Sequence, residues 1–433
     1  MAKSINKAVL SNRIYLNVND DLVEILERTL TYEIEQKTGN PLDSNVLIIR
    51  NAVRINKDLY SIPSGRADLI PNDYTIVDKQ IKLKATFPKF RFELRPSQQK
   101  IYDEVTGSCL INAPVSYGKT FLGLAIAAKM GYKTLVIVHT IALRDQWAKE
   151  VEKCFGFKPG IIGSGRFEVD STIVLGNIQT IRKRVPKLIE EFGTVLVDEC
   201  HHTPAATFTE VLNKIKATVK IGLSGTLHRK DNRHVVLKDY FSFTLFQPPV
   251  ENSMKPEIFI LNTGIFFSSN RNIPWAIRVN DLVARADYKK LVADVAQTQA
   301  IKGHKVLVVA DRVQFLEDIS ELCGSNAMTI TGKTENRDEM LKSIDTDKDI
   351  LCGSISIFSE GISLSSLSCL ILATPINNEP MLTQLIGRII RIKEGKRTPE
   401  VIDLNLKGST ANNQATARAG LYLKLGYKVH NLT

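Results

Sequence analysis

From about residue 94 onward, short unbroken apolar runs alternate with stretches of helical spacing. Leu135–Val138, Thr172–Leu175, Thr194–Val197 and Val219–Leu223 form one series. Val306–Ala310, Ala327–Ile330, Ile350–Cys352, Cys369–Ala373 and Val401–Leu404 form a second. Runs without polar alternation suit strands buried on both faces, and helices between them predict parallel sheets. The stretch from about 230 to 300 is more weakly patterned and links the two series. The body therefore reads as α/β, two lobes in tandem.

The first ninety residues differ. Asp20–Gln36 has helical periodicity. Val46–Ile49, Ala67–Ile70 and Tyr74–Val77 are short apolar runs set among Asn, Pro, Ser and Gly, which predicts a small α+β domain. Lys79–Lys100 then carries seven basic residues against one acidic, interleaved with Phe87, Phe90 and Phe92. Two readings stay open: a nucleic-acid contact, or a solvated linker whose aromatics pack back. The expected domains are 1–90, 91–240 and 241–433.

A chain of 433 residues is too long for one core, and 43% hydrophobic residues suit globular domains. The net charge of +11 favours a polyanionic partner, since Lys and Arg release counterions from phosphates; a basic protein without such a partner is the alternative. No apolar run at the start has signal-peptide length, and the uncharged stretch Gly361–Asn378 is broken by Ser, Pro and Asn. The six cysteines are scattered without a CxxC pair and read as buried thiols. A cytoplasmic protein is expected.

Candidate chemistry sits in a few segments. APVSYGKT places Ala113, Pro114, Val115, Ser116, Tyr117, Gly118, Lys119 and Thr120 between a strand end and a helix start. In a P-loop, backbone N–H groups cradle phosphates, the Lys reaches their oxygens and the hydroxyl binds Mg²⁺. Ala113 replaces the usual first Gly, and a chance loop is the bland alternative. Asp198 and Glu199 follow the apolar run Thr194–Val197, where one carboxylate can hold a Mg²⁺ shell and the next can polarise water. Two adjacent histidines, His201 and His202, seldom face one ion. Gln384, Gly387, Arg388 and Arg391 fall on a helical pattern. With Arg388 and Arg391 on one face, it suits either a phosphate or a solvated basic surface.

In order, LRPSQQ (94–99), APVSYGKT, HTIALRDQW (139–147), NIQTI (177–181), DECHH, LSGT (223–226), VLVVADR (306–312), FSEGIS (358–363) and QLIGRIIR (384–391) resemble the superfamily 2 helicase core. The resemblance covers about 94–405 and implies two RecA-like lobes using ATP and Mg²⁺. It implies that Arg95 and Gln98 read the base, and that Lys119, Thr120 and Gly361 help hold the nucleotide. Asp198 would hold the metal with Thr120, and Glu199 would activate water. Ser224, Thr226 and His201 would couple nucleotide state to movement. Gln384, Arg388 and Arg391 would act in catalysis, the arginines as fingers. Arg144, Thr180, Arg312 and Ser354 would touch the nucleic-acid backbone. Ser363 stands where the family usually has Asp, and Gly225 where it usually has Ala.

GLSGTLHRKD (222–231), the tail 411–429 and DLYSIPSGRADLIP (58–71) are similar to the branch holding the XPB, RecG-like and phage UvsW-type enzymes. The chain looks most like a compact phage branch-migration helicase of the UvsW or T5 type. This implies an ATP-dependent helicase or translocase on branched DNA, with a DNA-binding domain at the N-terminus. An RNA helicase is the runner-up. A nucleotide-gated switch without motor activity is a rival of another class, as is a P-loop kinase. Thr263–Arg278 holds Phe266, Phe267, Arg271 and Trp275 between the lobes. It reads either as ordinary packing or as an aromatic wedge for a DNA branch point.

Overall fold

A computed structural model describes residues 6–37, 44–203, 206–225, 227, 232–251, 253–332, 334, 337–360 and 364–432. Two compact units divide the chain, Met1–Pro249 and Val250–Thr433.

In the first unit, helix Asp20–Thr29 is capped by Asn19, whose side chain accepts from Leu22 N at 2.9 Å. The helix stops well before Gln36. The next residues, TYEIEQK, alternate with period two and form strand Thr31–Lys37, paired antiparallel with Ser44–Arg50. Alternation thus overrides the longer helix expected from Asp20–Gln36. Ala67–Leu69 is a 3₁₀ turn rather than a strand. Five further strands form a sheet around a small core with Ile14, Leu16, Leu26, Tyr60 and Ile62.

The same unit holds an eight-stranded sheet. Its central order is Ile173–Asn177, Thr134–Val138, Thr194–Val197, Val219–Ser224, Cys109–Asn112, all parallel. Successive residues of Thr134–Val138 enter opposite cores, Val136 and Val138 on one face and Leu135 and Ile137 on the other. Burial on both faces is why these strands read as unbroken apolar runs. Leu245–Phe246 joins this sheet beside Cys109–Asn112, so the first lobe extends past residue 240. Between the small domain and the lobe, Phe87 and Phe90 lie 5.8 and 5.4 Å from Phe155, and Phe92 lies 4.8 Å from Phe121. The phenylalanines of Lys79–Lys100 therefore pack back onto the lobe.

A buried polar interface joins the small domain to this lobe. Asp239 is fully enclosed and accepts from Arg66 Nη1 at 3.1 Å, Tyr32 Oη at 2.9 Å and Asn51 Nδ2 at 2.6 Å. Lys220 Nζ donates to Ser64 Oγ at 2.8 Å and Leu212 O at 2.9 Å. Gly65 N donates to Asp239 O, and a Cβ at Gly65 would lie 2.4 Å from Lys238 O. The backbones approach as closely as glycine allows.

The second unit is one parallel seven-stranded sheet: Ala327–Ile330, Ile350–Ser354, Val306–Ala310, Cys369–Leu372, Glu400–Lys407, Glu257–Phe266, Lys428–Leu432. Glu257–Phe266 comes from the weakly patterned stretch, so that stretch supplies a strand of the second sheet. All six cysteines are buried free thiols. Among the described residues no helix is long and apolar enough to cross a membrane.

Candidate nucleotide and nucleic-acid site

Strand Cys109–Asn112 runs into the loop 113–118, and helix Lys119–Met130 begins directly after it. Gly118 has φ 84°, a left-handed conformation that glycine adopts without steric cost, and a Cβ there would lie 2.8 Å from Gln98 Nε2. The first-turn amides of the helix lack intrahelical acceptors and make an anion site at its N-terminus. Gln98, only 4% exposed, braces this loop from behind. Its Nε2 donates to Tyr117 O at 2.8 Å, while its Oε1 accepts from Arg95 N at 3.0 Å. The Arg95 guanidinium donates to the same carbonyl. Both residues expected to read the base thus hold the P-loop backbone itself.

The P-loop is tied to the neighbouring strand. Ala113 N donates to Ser224 O at 3.0 Å, and Lys119 Nζ donates to Ala113 O at 3.2 Å. A Cβ at Gly225 would lie 3.2 Å from Lys119 Nζ, so the glycine in place of the usual alanine leaves room beside the ammonium.

Asp198 and Glu199 lie at the end of strand Thr194–Val197. Asp198 is buried; its Oδ2 accepts from Trp147 Nε1 at 2.7 Å and its Oδ1 from Glu199 N at 2.9 Å. Glu199 has φ 47°, an unusual strain for a non-glycine residue, of the kind found at functional sites. His201 Nδ1 lies 3.0 Å from Ser224 Oγ and 3.3 Å from Glu199 Oε2. Burial pushes the Asp198 carboxyl above the usual carboxylate range, and the adjacent Glu199 charge adds to the rise. Burial also acts upward on Glu199, but the His201 contact and the Lys119 charge outweigh it and hold Glu199 below the usual carboxylate range. The two carboxyls of the pair are thus pushed in opposite directions.

The donors fit a Mg²⁺–nucleotide. Thr120 supplies a hydroxyl and Asp198 a carboxylate, hard oxygen ligands for an ion that completes its shell with phosphate and water. Among the described residues, no group of three or more His, Cys, Asp or Glu is placed to hold an ion alone.

Arg144 and Thr180 converge on Gly163, where a Cβ would lie 2.8 Å from Arg144 Nη1 and 3.7 Å from Thr180 Oγ1. Arg144 is buried rather than presented to solvent, bonding Asp145 Oδ1 at 2.8 Å and Ser164 Oγ at 3.2 Å. In the second unit Arg312 and Ser354 stand at the ends of adjacent strands, with Ala310 in register with Ser354. Arg312 Nε donates to Asn280 Oδ1 at 2.7 Å.

Helix Glu379–Ile389 carries Gln384 and Arg388 and ends before Arg391, which pairs in a β-bridge with Ser253. The two arginines therefore do not share a helical face. Arg388 is buried, its Nε donating to Phe358 O at 2.7 Å. The aromatic cluster also divides. Phe267 is 1% exposed in the core and its ring lies 5.3 Å from that of half-buried Trp275, while Phe266 is 61% exposed at the end of its strand. Phe267 is thus unavailable to stack on a base, Trp275 is half-buried at the start of helix Trp275–Ala284, and Thr263–Phe266 belongs to the second sheet rather than a connector. Thr226, Gly361 and Ser363 lie outside the described residues.

Two features escaped sequence reasoning. Trp147 was visible only as part of HTIALRDQW, though its spacing of three from Arg144 puts both on one face of helix Ile141–Phe155. The Asp239 interface joins residues far apart in sequence and leaves no local signal.

Comparison with known proteins gives the family. The family described as "Type III restriction enzyme, res subunit" matches residues 91–229, and "Helicase conserved C-terminal domain" matches 288–393. The chain is 41% identical to "Probable helicase D10" of Escherichia phage T5, over 99% of this chain and 96% of that protein. It is 24% identical to "ATP-dependent DNA helicase uvsW" of Enterobacteria phage T4, over 70% and 67% respectively. Its fold is similar to that of S. cerevisiae Dbp5 solved with RNA and ADP BeF3, with TM-score 0.58 and 10% identity, over 78% of this chain and 89% of that one.

Proposed function

This chain belongs to the phage-type superfamily 2 helicases, ATP-hydrolysing enzymes of nucleic acid built on RecA-like lobes, and from that premise we propose that it is a DNA helicase or translocase acting on branched DNA such as forks and Holliday junctions. The observation that carries the mechanism is the polar chain from Lys119 through Ala113 and Ser224 to His201 and Glu199. It joins the phosphate-binding lysine to the water-activating carboxylate.

In this reading Lys119 and the loop amides bind the phosphates. Thr120 and Asp198 would hold Mg²⁺, which supplies charge neutralisation at the phosphate oxygens. Glu199, held ionised, accepts the attacking water's proton at its carboxylate. His201 passes the resulting change to Ser224. Arg95 and Gln98 set the shape of the P-loop beside any contact with the base. Arg391, with Arg388 as the alternative, takes the finger role. Replacement of the finger by Ala would lower kcat more than nucleotide affinity.

The choice of DNA is supported by the net charge of +11 and by the name of the phage T4 relative. Branched DNA is supported by the resemblance of the 58–71 and 411–429 segments to that branch. The proposal includes a host-cell cytoplasmic setting, supported by the phage origin of the T5 relative. Displacement of a streptavidin roadblock from DNA tests motor against switch. The wild type should clear it with ATP; clearance no faster than by Lys119→Ala would reject a motor.

A further inference from the structure

Helix Ile141–Phe155 carries two buried side chains whose partners belong to different sites. Arg144 Nη1 bonds Ser164 Oγ at 3.2 Å, beside Gly163 and Thr180, where nucleic acid is expected. Trp147 Nε1 donates to Asp198 Oδ2 at 2.7 Å, inside the nucleotide site. The residues are three apart, so one rigid turn of helix links them. The indole is also tightly enclosed. A Cβ on Gly123 of the P-loop helix would lie 3.6 Å from the Trp147 ring and 2.9 Å from both Leu196 and Leu223. Leu196 and Leu223 belong to the strands that lead to Asp198 and Ser224. Trp147 therefore cannot shift without moving its hydrogen bond or its neighbours.

The chemistry of the contact is specific. An indole N–H only donates, so it needs an acceptor, and it has a carboxylate that is itself buried. Trp147 takes one lone pair on Oδ2, and Glu199 N takes one on Oδ1. Two donors fix the plane of the carboxylate, and each oxygen keeps a lone pair for a metal ion or its water. Any buried indole N–H seeks an acceptor; what is particular here is that the acceptor is the carboxylate at the end of strand Thr194–Val197.

We infer that Trp147 is a positioning residue that orients Asp198 toward Mg²⁺–nucleotide and links that orientation to the Gly163–Ser164 turn, which buried Arg144 holds from within and beside which the proposed function places nucleic acid. The inference rests on the ATP-site reading above and adds a route by which nucleic acid reaches the metal-holding carboxylate.

Trp147→Phe keeps an aromatic ring and removes the N–H. Equilibrium binding of a fluorescent ADP analogue is measured in EDTA and across a Mg²⁺ titration, with and without oligo(dT). Removing a partner that orients a metal ligand costs about tenfold or more in metal affinity. The variant should accordingly need about tenfold more Mg²⁺ for half-maximal nucleotide binding, with affinity in EDTA close to wild type. Oligo(dT) should lower the Mg²⁺ requirement of the wild type and leave that of the variant unchanged. An identical Mg²⁺ titration for the two proteins overturns the positioning role; a retained oligo(dT) effect overturns the link. If Trp147→Phe does not fold, the indoles are replaced by the isosteric benzothiophene in a Trp275→Phe background, and the same titrations decide. Lys119→Ala separates the two levels of argument. If it binds the analogue as tightly as wild type with Mg²⁺ present, the ATP-site reading has failed.

Discussion

His201 Nδ1 and Ser224 Oγ lie 3.0 Å apart, joining the turn after Thr194–Val197 to the end of the adjacent parallel strand Val219–Ser224. The same nitrogen is 3.3 Å from Glu199 Oε2, so a proton on it can serve either neighbour. The imidazole thus bridges Glu199 and the strand whose Ser224 O accepts from Ala113 N, the contact that the proposed relay would use.

Replacing His201 with Ala should therefore reduce DNA-stimulated unwinding more than basal ATP hydrolysis. It should also release Glu199 from the bond that holds it down, moving the acid limb of kcat to higher pH. Unwinding and hydrolysis assayed across pH check both effects. Equal losses of the two activities with an unmoved acid limb would count against the relay.

Glu199→Gln should bind nucleotide and nucleic acid but turn over at least about a hundredfold more slowly, because an amide cannot accept the water's proton. Single-turnover hydrolysis beside equilibrium binding separates these steps. Loss of nucleotide binding would give Glu199 a structural role.

The two adjacent phenylalanines should behave oppositely. Phe267→Ala empties a core position and should cost about 3–5 kcal/mol, whereas exposed Phe266→Ala should change stability by less than about 0.5 kcal/mol. Denaturant melts of both variants measure this. If Phe266→Ala alone impairs unwinding at an unchanged Tm, an exposed ring at the strand end contacts nucleic acid.

Asp239→Ala would leave Arg66 Nη1, Tyr32 Oη and Asn51 Nδ2 without their buried acceptor, Arg66 keeping only its pairing with Asp68, and should destabilise the first unit by about 1–3 kcal/mol. For the same reason, removal of residues 1–90 exposes Lys220 and strips Asp239 of Arg66, Tyr32 and Asn51. The truncated chain should melt lower as well as bind DNA less. Thermal melts check both; an unchanged Tm would make the interface energetically neutral.

Lys220 gives that interface a pH signature. Burial lowers its amine from the usual 10.5 to about 7, with Arg13 adding to the effect. The folded state thus binds fewer protons than the unfolded state between these values. Its contribution to stability is fully present above the unfolded value and is lost as pH falls toward about 7. Wild-type stability relative to Lys220→Met should rise with pH across this window. A flat difference would mean the amine titrates normally.

Much of the architecture was legible because strands buried on both faces leave contiguous apolar runs. Thr194–Val197, Val306–Ala310 and Ala327–Ile330 have the bounds expected from sequence. Strand Glu257–Phe266 was not legible, since only some of its residues are buried and its alternation is irregular. The continuation of a helix through QLIGRIIR failed at its end, where Ile390 leaves helical geometry and Arg391 enters a bridge. The loop–helix junction at Gly118 and the carboxylates at the end of Thr194–Val197 were legible because each lies in contiguous residues. The hydrogen bond from Trp147 to Asp198 and the Asp239 network were not, because each joins segments distant in the chain.

The central claim, an ATP-driven enzyme of branched DNA, is tested most directly by one ATPase panel at a single fixed salt concentration. Wild type and Lys119→Ala are assayed with junction DNA, single-stranded DNA, duplex RNA and single-stranded RNA. The account predicts turnover abolished by Lys119→Ala and stimulated most by junction DNA in the wild type. Strongest stimulation by RNA, or Lys119→Ala turnover equal to wild type, would contradict it.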